Sequence, residues 1–190
     1  MAEIGFIGMG NMGYAILKGM LKWCPKENIT FYDADGERSR LVEEKTGVKA
    51  AADERDCAEQ AQYLILAVKP QYIRKVADKV RMGLKDGQIV ISIAAGVDRE
   101  YLKAVLNKTG RIVRAMPNTP ALVGEGMTGV CYDENLFSEE EKDKIRQIFC
   151  SFGKMKIVEE RLIDAVGCVS GCSPAYVYMF IEALADGAVK

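Results

Sequence analysis

Glu3-Ile4-Gly5-Phe6-Ile7-Gly8-Met9-Gly10-Asn11-Met12-Gly13-Tyr14-Ala15-Ile16-Leu17-Lys18-Gly19-Met20-Leu21 is the stretch whose reading decides the fold. Ile4, Phe6 and Ile7 form a short apolar run bounded by glycine. Gly8, Gly10 and Gly13 supply G-x-G-x-x-G, and Tyr14, Ile16, Leu17, Met20 and Leu21 recur at helical spacing. The pattern predicts strand, tight turn, helix. Gly8 takes the turn geometry, Gly10 has no Cβ to hold a pyrophosphate off the backbone, and Gly13 lets the helix close on the strand. Free N–H groups and the positive dipole end at the helix start then suit an anion. Gly8, Met9, Gly10, Asn11, Met12 and Gly13 are therefore candidate dinucleotide contacts, with Asp33 at the end of the next apolar run as the acid for a ribose. The competing reading is a glycine-rich turn without a ligand.

Outward from this motif, 190 residues, 49% of them hydrophobic, suffice for one domain and part of another with a sizeable core. A net charge of −1 with scattered basic residues predicts neither nucleic acid nor an anionic membrane surface as partner. The N-terminus runs straight into a strand, without a basic region and long apolar core, and no apolar run in the sequence approaches membrane-spanning length. Both features predict a cytoplasmic protein. The six cysteines show no C-x-x-C spacing and there is no histidine, so no metal site is expected; Cys168 and Cys172, four apart on a helix, are read as buried or half-buried reduced thiols, with a functional thiol pair as the alternative.

Along the chain, Ile29–Tyr32 predicts a second strand. A helix from about Asp35 to Gly47 places Leu41 and Val42 inward, and residues 48–52 form a weak third strand. Asp53 caps a short helix to Ala61. Tyr63-Leu64-Ile65-Leu66-Ala67-Val68 reads as a parallel strand covered on both faces, and Gln71 to Met82 as an amphipathic helix on Ile73, Val76, Ala77 and Val80. Residues 89–93 are the fifth strand, followed by a small-residue turn. Asp98 caps a helix carrying Tyr101, Leu102, Val105 and Leu106 that Gly110 closes, and Arg111 to Ala115 are the sixth strand. This alternation predicts an α/β fold with a doubly wound parallel, Rossmann-type sheet. Two prolines make Met116-Pro117-Asn118-Thr119-Pro120 a structured loop at the carboxyl edge, where ligands bind.

Beyond it, residues 127–132 predict an added edge strand, Ser138 with Glu141 a capping box, and residues 154–158 a last short strand. Leu162 to Val169 read as a helix, and Ser173-Pro174 as the cap and first turn of another. That final helix is apolar on every side from Tyr176 to Ile181. Such a segment is buried all round, by a continuing helical domain, a second subunit, or both.

The chemistry has no evident base or nucleophile: there is no histidine, and no serine or cysteine with a recognisable activating partner. This favours hydride transfer, in which a nicotinamide carries the chemistry and the protein supplies position. Four further segments carry a family likeness: Leu66-Ala67-Val68-Lys69-Pro70-Gln71, Ser92-Ile93-Ala94-Ala95-Gly96-Val97, Arg114-Ala115-Met116-Pro117-Asn118-Thr119-Pro120-Ala121, and Leu162-Ile163-Asp164-Ala165-Val166 leading to Ser170-Gly171-Cys172-Ser173-Pro174-Ala175-Tyr176. With them the whole chain resembles Δ1-pyrroline-5-carboxylate reductase, the last enzyme of proline synthesis.

The resemblance implies NAD(P)H as cofactor and pyrroline-5-carboxylate, reduced at its C=N bond to L-proline, as substrate. It implies contacts to the ribose and nicotinamide side from Ala67, Val68, Lys69, Pro70, Ile93, Ala94 and Ala95, with the Lys69 stem packed along the cleft rather than acting as a catalytic group. Met116, Pro117 and Asn118 would border nicotinamide and substrate, and Ser170, Gly171, Cys172 and Ser173 would form the substrate-side turn, although the family usually has Ser-Gly-Ser-Gly-Pro there. It also implies a division into a cofactor domain, 1–160, and the start of a helical dimerisation domain, 161–190, making a homodimer or higher homo-oligomer. The family's substrate-loop threonine falls past Lys190, so these residues alone are expected to be inactive. The alternatives are another small-substrate NAD(P)-dependent reductase and a dinucleotide-sensing protein without turnover. Glu54 stands where the family often has asparagine near the adenosine ribose, so with Asp33 two carboxylates face a 2′-phosphate. NADH is expected to be preferred and NADPH usable, with Arg38 and Arg40 as counterweights.

Overall fold

The computed structural model describes residues 2–107 and 111–189. Eight strands form one sheet: β1 (Ile4–Ile7), β2 (Ile29–Tyr32), β3 (Lys49–Ala50), β4 (Tyr63–Leu66), β5 (Ile89–Ser92), β6 (Ile112–Met116), β7 (Gly126–Cys131) and β8 (Gly153–Ile157), in the order β3-β2-β1-β4-β5-β6-β7-β8. The first six pair in parallel, so their carboxyl ends share one edge. The chain leaves β1 toward β2 on one side and returns to β4 on the other, which opens a crevice at the carboxyl end of β1.

Side chains alternate across the strands, and the two faces are buried separately. On one face Phe6, Phe31, Tyr63, Ile65 and Ile91 pack with Ile16, Leu17 and Met20 of α1 (Asn11–Met20) and with Ile145, Ile148 and Phe149 of α6 (Glu139–Cys150). On the other, Ile7, Leu64, Leu66 and Val90 meet α3 (Glu54–Gln60), α4 (Ile73–Val80) and α5 (Arg99–Leu106). The helix α2 (Gly36–Thr46) buries Val42 but leaves Leu41, also expected inward, exposed, and α5 leaves Tyr101 exposed.

Local signals account for the helix ends. Asp35, Asp53 and Asp98 each accept first-turn N–H groups, Gly47 closes α2 in the left-handed region, and Ser138 and Glu141 form the capping box. The proposed stop at Gly110 lies outside the described residues; α5 ends with Asn107 in the left-handed region. The helix α4 is shorter than its pattern because Pro70–Tyr72 form a separate 3₁₀ turn.

Three expectations change. The segment expected as an added edge strand, β7, lies inside the sheet, antiparallel to β6 and parallel to β8, and β8 is the edge. Ser173 does not cap a new helix: the chain is helical from Glu160 to Val189 through α7 (Ile163–Val166), a π-turn (Gly167–Gly171) and α8 (Ser173–Val189). Because that run is continuous, it is long and apolar enough to cross a membrane by length and composition, with mean hydropathy 1.2, a length the separate segments did not suggest. No residue of α8 is buried; Tyr176, Phe180 and Leu184 are each at least 60% exposed.

The start of this helix is tied to the sheet by charge. Arg114 on β6, only 3% exposed, donates to Asp164 Oδ1 at 2.6 Å and lies 3.9 Å from Glu160, which also pairs with Arg99 at 2.6 Å. A buried guanidinium demands such partners.

Candidate cofactor cleft and substrate-side turn

The glycine turn carries three different steric demands. At Gly8, φ is +99° and an added Cβ would stand 2.7 Å from the Ala67 carbonyl oxygen, so turn geometry and close approach both require glycine. At Gly13 a Cβ would run into the Gly8 carbonyl oxygen, which is how α1 comes so near β1. At Gly10 a Cβ would meet nothing within 4 Å. Gly10 is also the N-cap of α1 and has no side chain to receive the first-turn N–H groups of Asn11, Met12 and Gly13. Open space in front of unsatisfied donors fits a bound pyrophosphate.

The turn is braced by Asp33. Its Oδ2 accepts the Met9 N–H at 2.5 Å and its Oδ1 accepts the Asp35 N–H at 2.9 Å. Arg38 folds back from α2, its Nε donating to the Met9 carbonyl at 2.6 Å. Both side chains, expected to address the ribose or a phosphate, therefore also hold the loop in shape.

A cleft of about 370 Å³ opens here, lined by Gly8, Gly10, Asp33, Glu54, Ala67, Val68 and Lys69 among the residues singled out from sequence. Tyr32, Ala34, Tyr72, Lys75, Val76 and Lys79 line it as well and were not foreseen. The helical pattern of α4 gave its buried stripe but not that Lys75 and Lys79, on its flank, and Tyr72, in the turn before it, reach the crevice. Glu54, 6% exposed, is not a bare carboxylate: Lys79 Nζ donates to its two oxygens at 3.0 and 3.1 Å. That hydrogen bond and charge hold the Lys79 ammonium above the usual lysine range. Lys69 is exposed, and its carbonyl closes the turn that begins α4.

One strand further, Ile93, Ala94 and Ala95 follow β5, with the Ala94 N–H bonded to Ser92 Oγ at 3.3 Å. They share the carboxyl edge but do not line the 370 Å³ cleft. After β6, Met116, the last residue of the strand, lays its Sδ–Cε end against the π-turn: a Cβ at Gly167 or Gly171 would stand 3.0 or 3.5 Å from the Met116 methyl. Pro117 is buried.

Asn118 is the joint between the two regions. Its Oδ1 accepts the Met127 N–H at 2.8 Å, and its Nδ2 donates to the Ser170 carbonyl and hydroxyl, both at 3.1 Å. The reason lies four residues after Ser170. Pro174 has no N–H, so the Ser170 carbonyl loses its usual helical donor and takes the Asn118 amide instead. A shallow hollow of about 320 Å³ is lined by Asn118, Pro120, Ser170, Ser173, Pro174, Val177 and Tyr178, whereas Met116, Pro117, Gly171 and Cys172 stay outside it.

Comparison with known proteins agrees with this fold. Residues 3–96 match the family described as NADP oxidoreductase, coenzyme F420-dependent, and residues 160–190 match pyrroline-5-carboxylate reductase dimerisation. The chain is 41% identical to the pyrroline-5-carboxylate reductase of Escherichia coli, covering 98% of this chain and 70% of that protein. Among solved structures, the pyrroline-5-carboxylate reductase of Coxiella burnetii superposes with a TM-score of 0.91 at 34% identity, over 98% of this chain and 70% of that one. The Plasmodium falciparum pyrroline carboxylate reductase with NADP bound gives a TM-score of 0.87 at 32% identity, over 99% and 69%.

Proposed function

The chain belongs to the pyrroline-5-carboxylate reductase family, and from that premise we propose a division of labour for the reduction of pyrroline-5-carboxylate to L-proline by NAD(P)H. Hydride adds to the carbon of the ring C=N bond and a proton to its nitrogen, so the imine becomes the secondary amine of proline. The nicotinamide supplies the hydride; the chain supplies position. Holding the reacting atoms within about 3 to 3.5 Å supplies much of the rate, and no residue here need act as a nucleophile.

The single observation that carries this reading is the open space at Gly10 in front of the uncapped start of α1. On this reading the first turn of α1 holds the pyrophosphate and Asp33 the adenosine ribose. Ala67, Val68, Lys69 and Pro70, then Ile93, Ala94 and Ala95, follow the cofactor along the sheet edge toward Met116. Met116, Pro117 and Asn118 with Ser170, Gly171, Cys172 and Ser173 shape the substrate side, Asn118 through its hold on the π-turn rather than through a free amide.

NADH is the preferred cofactor and NADPH a usable one. Asp33 disfavours a 2′-phosphate, and the Arg38 Nε is engaged with the Met9 carbonyl. Residues 1–160 form the cofactor domain and 161–190 open a helical domain through which two subunits pair in the cytoplasm, without nucleic acid or membrane as partners. Turnover belongs to the paired, complete helical domain, and cofactor binding to the sheet. The test is NADH oxidation with proline quantified, in a form carrying that whole domain, against calorimetric NADH binding by residues 1–190. Binding without proline formation by the complete form leaves a dinucleotide-sensing protein; proline formation with at least tenfold preference for NADPH, about 1.4 kcal/mol, overturns the cofactor assignment alone.

A further inference from the structure

The cofactor cleft contains a charge pair that hydride transfer does not call for. Glu54 opens α3 and is 6% exposed, while Lys79, near the end of α4, keeps 46% of its side chain exposed. Both line the cleft that also holds Gly8, Gly10 and Asp33. The dependence is one-sided. A carboxylate this buried needs a counter-charge, whereas a lysine this exposed would be solvated without one. Lys75, one turn before Lys79 on the same helix, lines the cleft too and has no ion-pair partner among the described residues.

We propose that Glu54 sets the cofactor preference of this protein by holding Lys79, masking an ammonium that would otherwise receive the 2′-phosphate of NADPH. The proposal rests on the NADH-preferring reading above and gives its cause. With the pair closed, Glu54 and Lys79 cancel and Lys75 alone stands against the Asp33 carboxylate, so a dianionic phosphate meets no net positive charge. With the Glu54 charge removed, Lys79 and Lys75 present two cations from one helix flank, spaced four residues apart, against one carboxylate that already accepts two backbone N–H groups. The residue that looks like a second repulsive carboxylate thus acts by occupying a lysine.

The test is calorimetric titration of NAD⁺ and NADP⁺ into the wild type, Glu54→Gln, Lys79→Gln and the double variant. The readout is the ratio of the two dissociation constants, with thermal melts to establish folding. Glu54→Gln is expected to move the ratio about tenfold toward NADP⁺, and the double variant to lose at least fivefold of that gain. Lys79→Gln alone is expected to move it at least threefold toward NAD⁺, because Glu54 then faces the phosphate without its counter-charge. A Glu54→Gln ratio within twofold of wild type overturns the proposal, and so does a double variant within twofold of Glu54→Gln. Should Glu54→Gln fail to fold, Lys79→Gln decides, and a ratio that stays within twofold or moves toward NADP⁺ overturns the masking role. A wild type that binds NADP⁺ more tightly defeats the NADH reading, while the contrast between single and double variants still settles what Lys79 does.

Discussion

Two helices of this chain differ in how their apolar residues are arranged and in what covers them. On α4, Ile73, Val76, Ala77 and Val80 are buried against the sheet and the remaining positions are polar, so the helix finds its partner within the chain. On α8, Tyr176, Val177, Tyr178, Met179, Phe180 and Ile181 point in every direction and all are exposed. A helix patterned for one face is explained by its own fold. A helix patterned for all faces is explained only by something beyond it, and the match of residues 160–190 to a dimerisation family names the kind of contact.

Substitutions on the two helices should therefore separate cleanly. Ile73→Ala is expected to cost the fold about 2 to 5 kcal/mol in urea unfolding, as a fully buried aliphatic side chain should. Phe180→Ala, a larger truncation, is expected to stay within about 0.5 kcal/mol under conditions where the protein is monomeric, and to weaken self-association in sedimentation. Comparable losses of monomer stability at both sites would break the comparison.

Next in size is Gly10→Val. Nothing surrounds the position, so the melting transition should move by only a few degrees, while NADH affinity falls about a hundredfold, roughly 2.7 kcal/mol, in calorimetry. Unchanged affinity would remove the pyrophosphate from the helix start. Asp164→Asn loosens the tie between β6 and the C-terminal helix by about 1 kcal/mol, because Asp164 is largely solvated although Arg114 is not. It should appear as faster hydrogen exchange in α7 and the π-turn with the sheet unaffected; global loss of protection would mean that helix and sheet are one cooperative unit.

The smallest perturbation is chemical labelling. Burial pushes the Cys57 thiol up to about 12 and the Cys131 thiol up to about 11, and also raises Cys24, so all three remain protonated at pH 8. Cys150, Cys168 and Cys172 are exposed, the last two against the expectation of burial, because the π-turn and α8 that carry them are uncovered. A thiol reagent at pH 8 should modify these three quickly and the other three only on unfolding. A fourth fast thiol would show that the sheet region opens more readily than its packing implies.

What was legible in the sequence follows the same division. The parallel strands, the caps at Asp35, Asp53 and Asp98 and the stripe of α4 were readable because each is set by neighbours a few residues away. The glycine turn was readable for the same reason, down to the separate demands of Gly8, Gly10 and Gly13. The place of β7 inside the sheet was not, since pairing with β8 depends on where a strand more than twenty residues later returns. The Glu54–Lys79 pair and the reach of Asn118 to Ser170 join residues 25 and 52 positions apart, and no local pattern marks them. Ser173-Pro174 misled for a definite reason: serine before proline is the signature of a helix start, and here the missing N–H is absorbed by a π-turn and the Asn118 amide from the loop after β6.

The edges of the sheet have a consequence for how this protein meets others of its kind. At one edge β3 is two residues long and carries Lys49; at the other, β8 exposes Lys154 and Lys156 on alternate positions. Lysines on a short or outermost strand make open backbone hydrogen-bonding groups a poor template for a further strand. Edge-to-edge addition of strands from other chains, a route toward fibrils, is discouraged at both ends, while the continuous apolar surface that stays exposed, on α8, is helical. The sheet thus carries its own protection against strand addition at both of its ends.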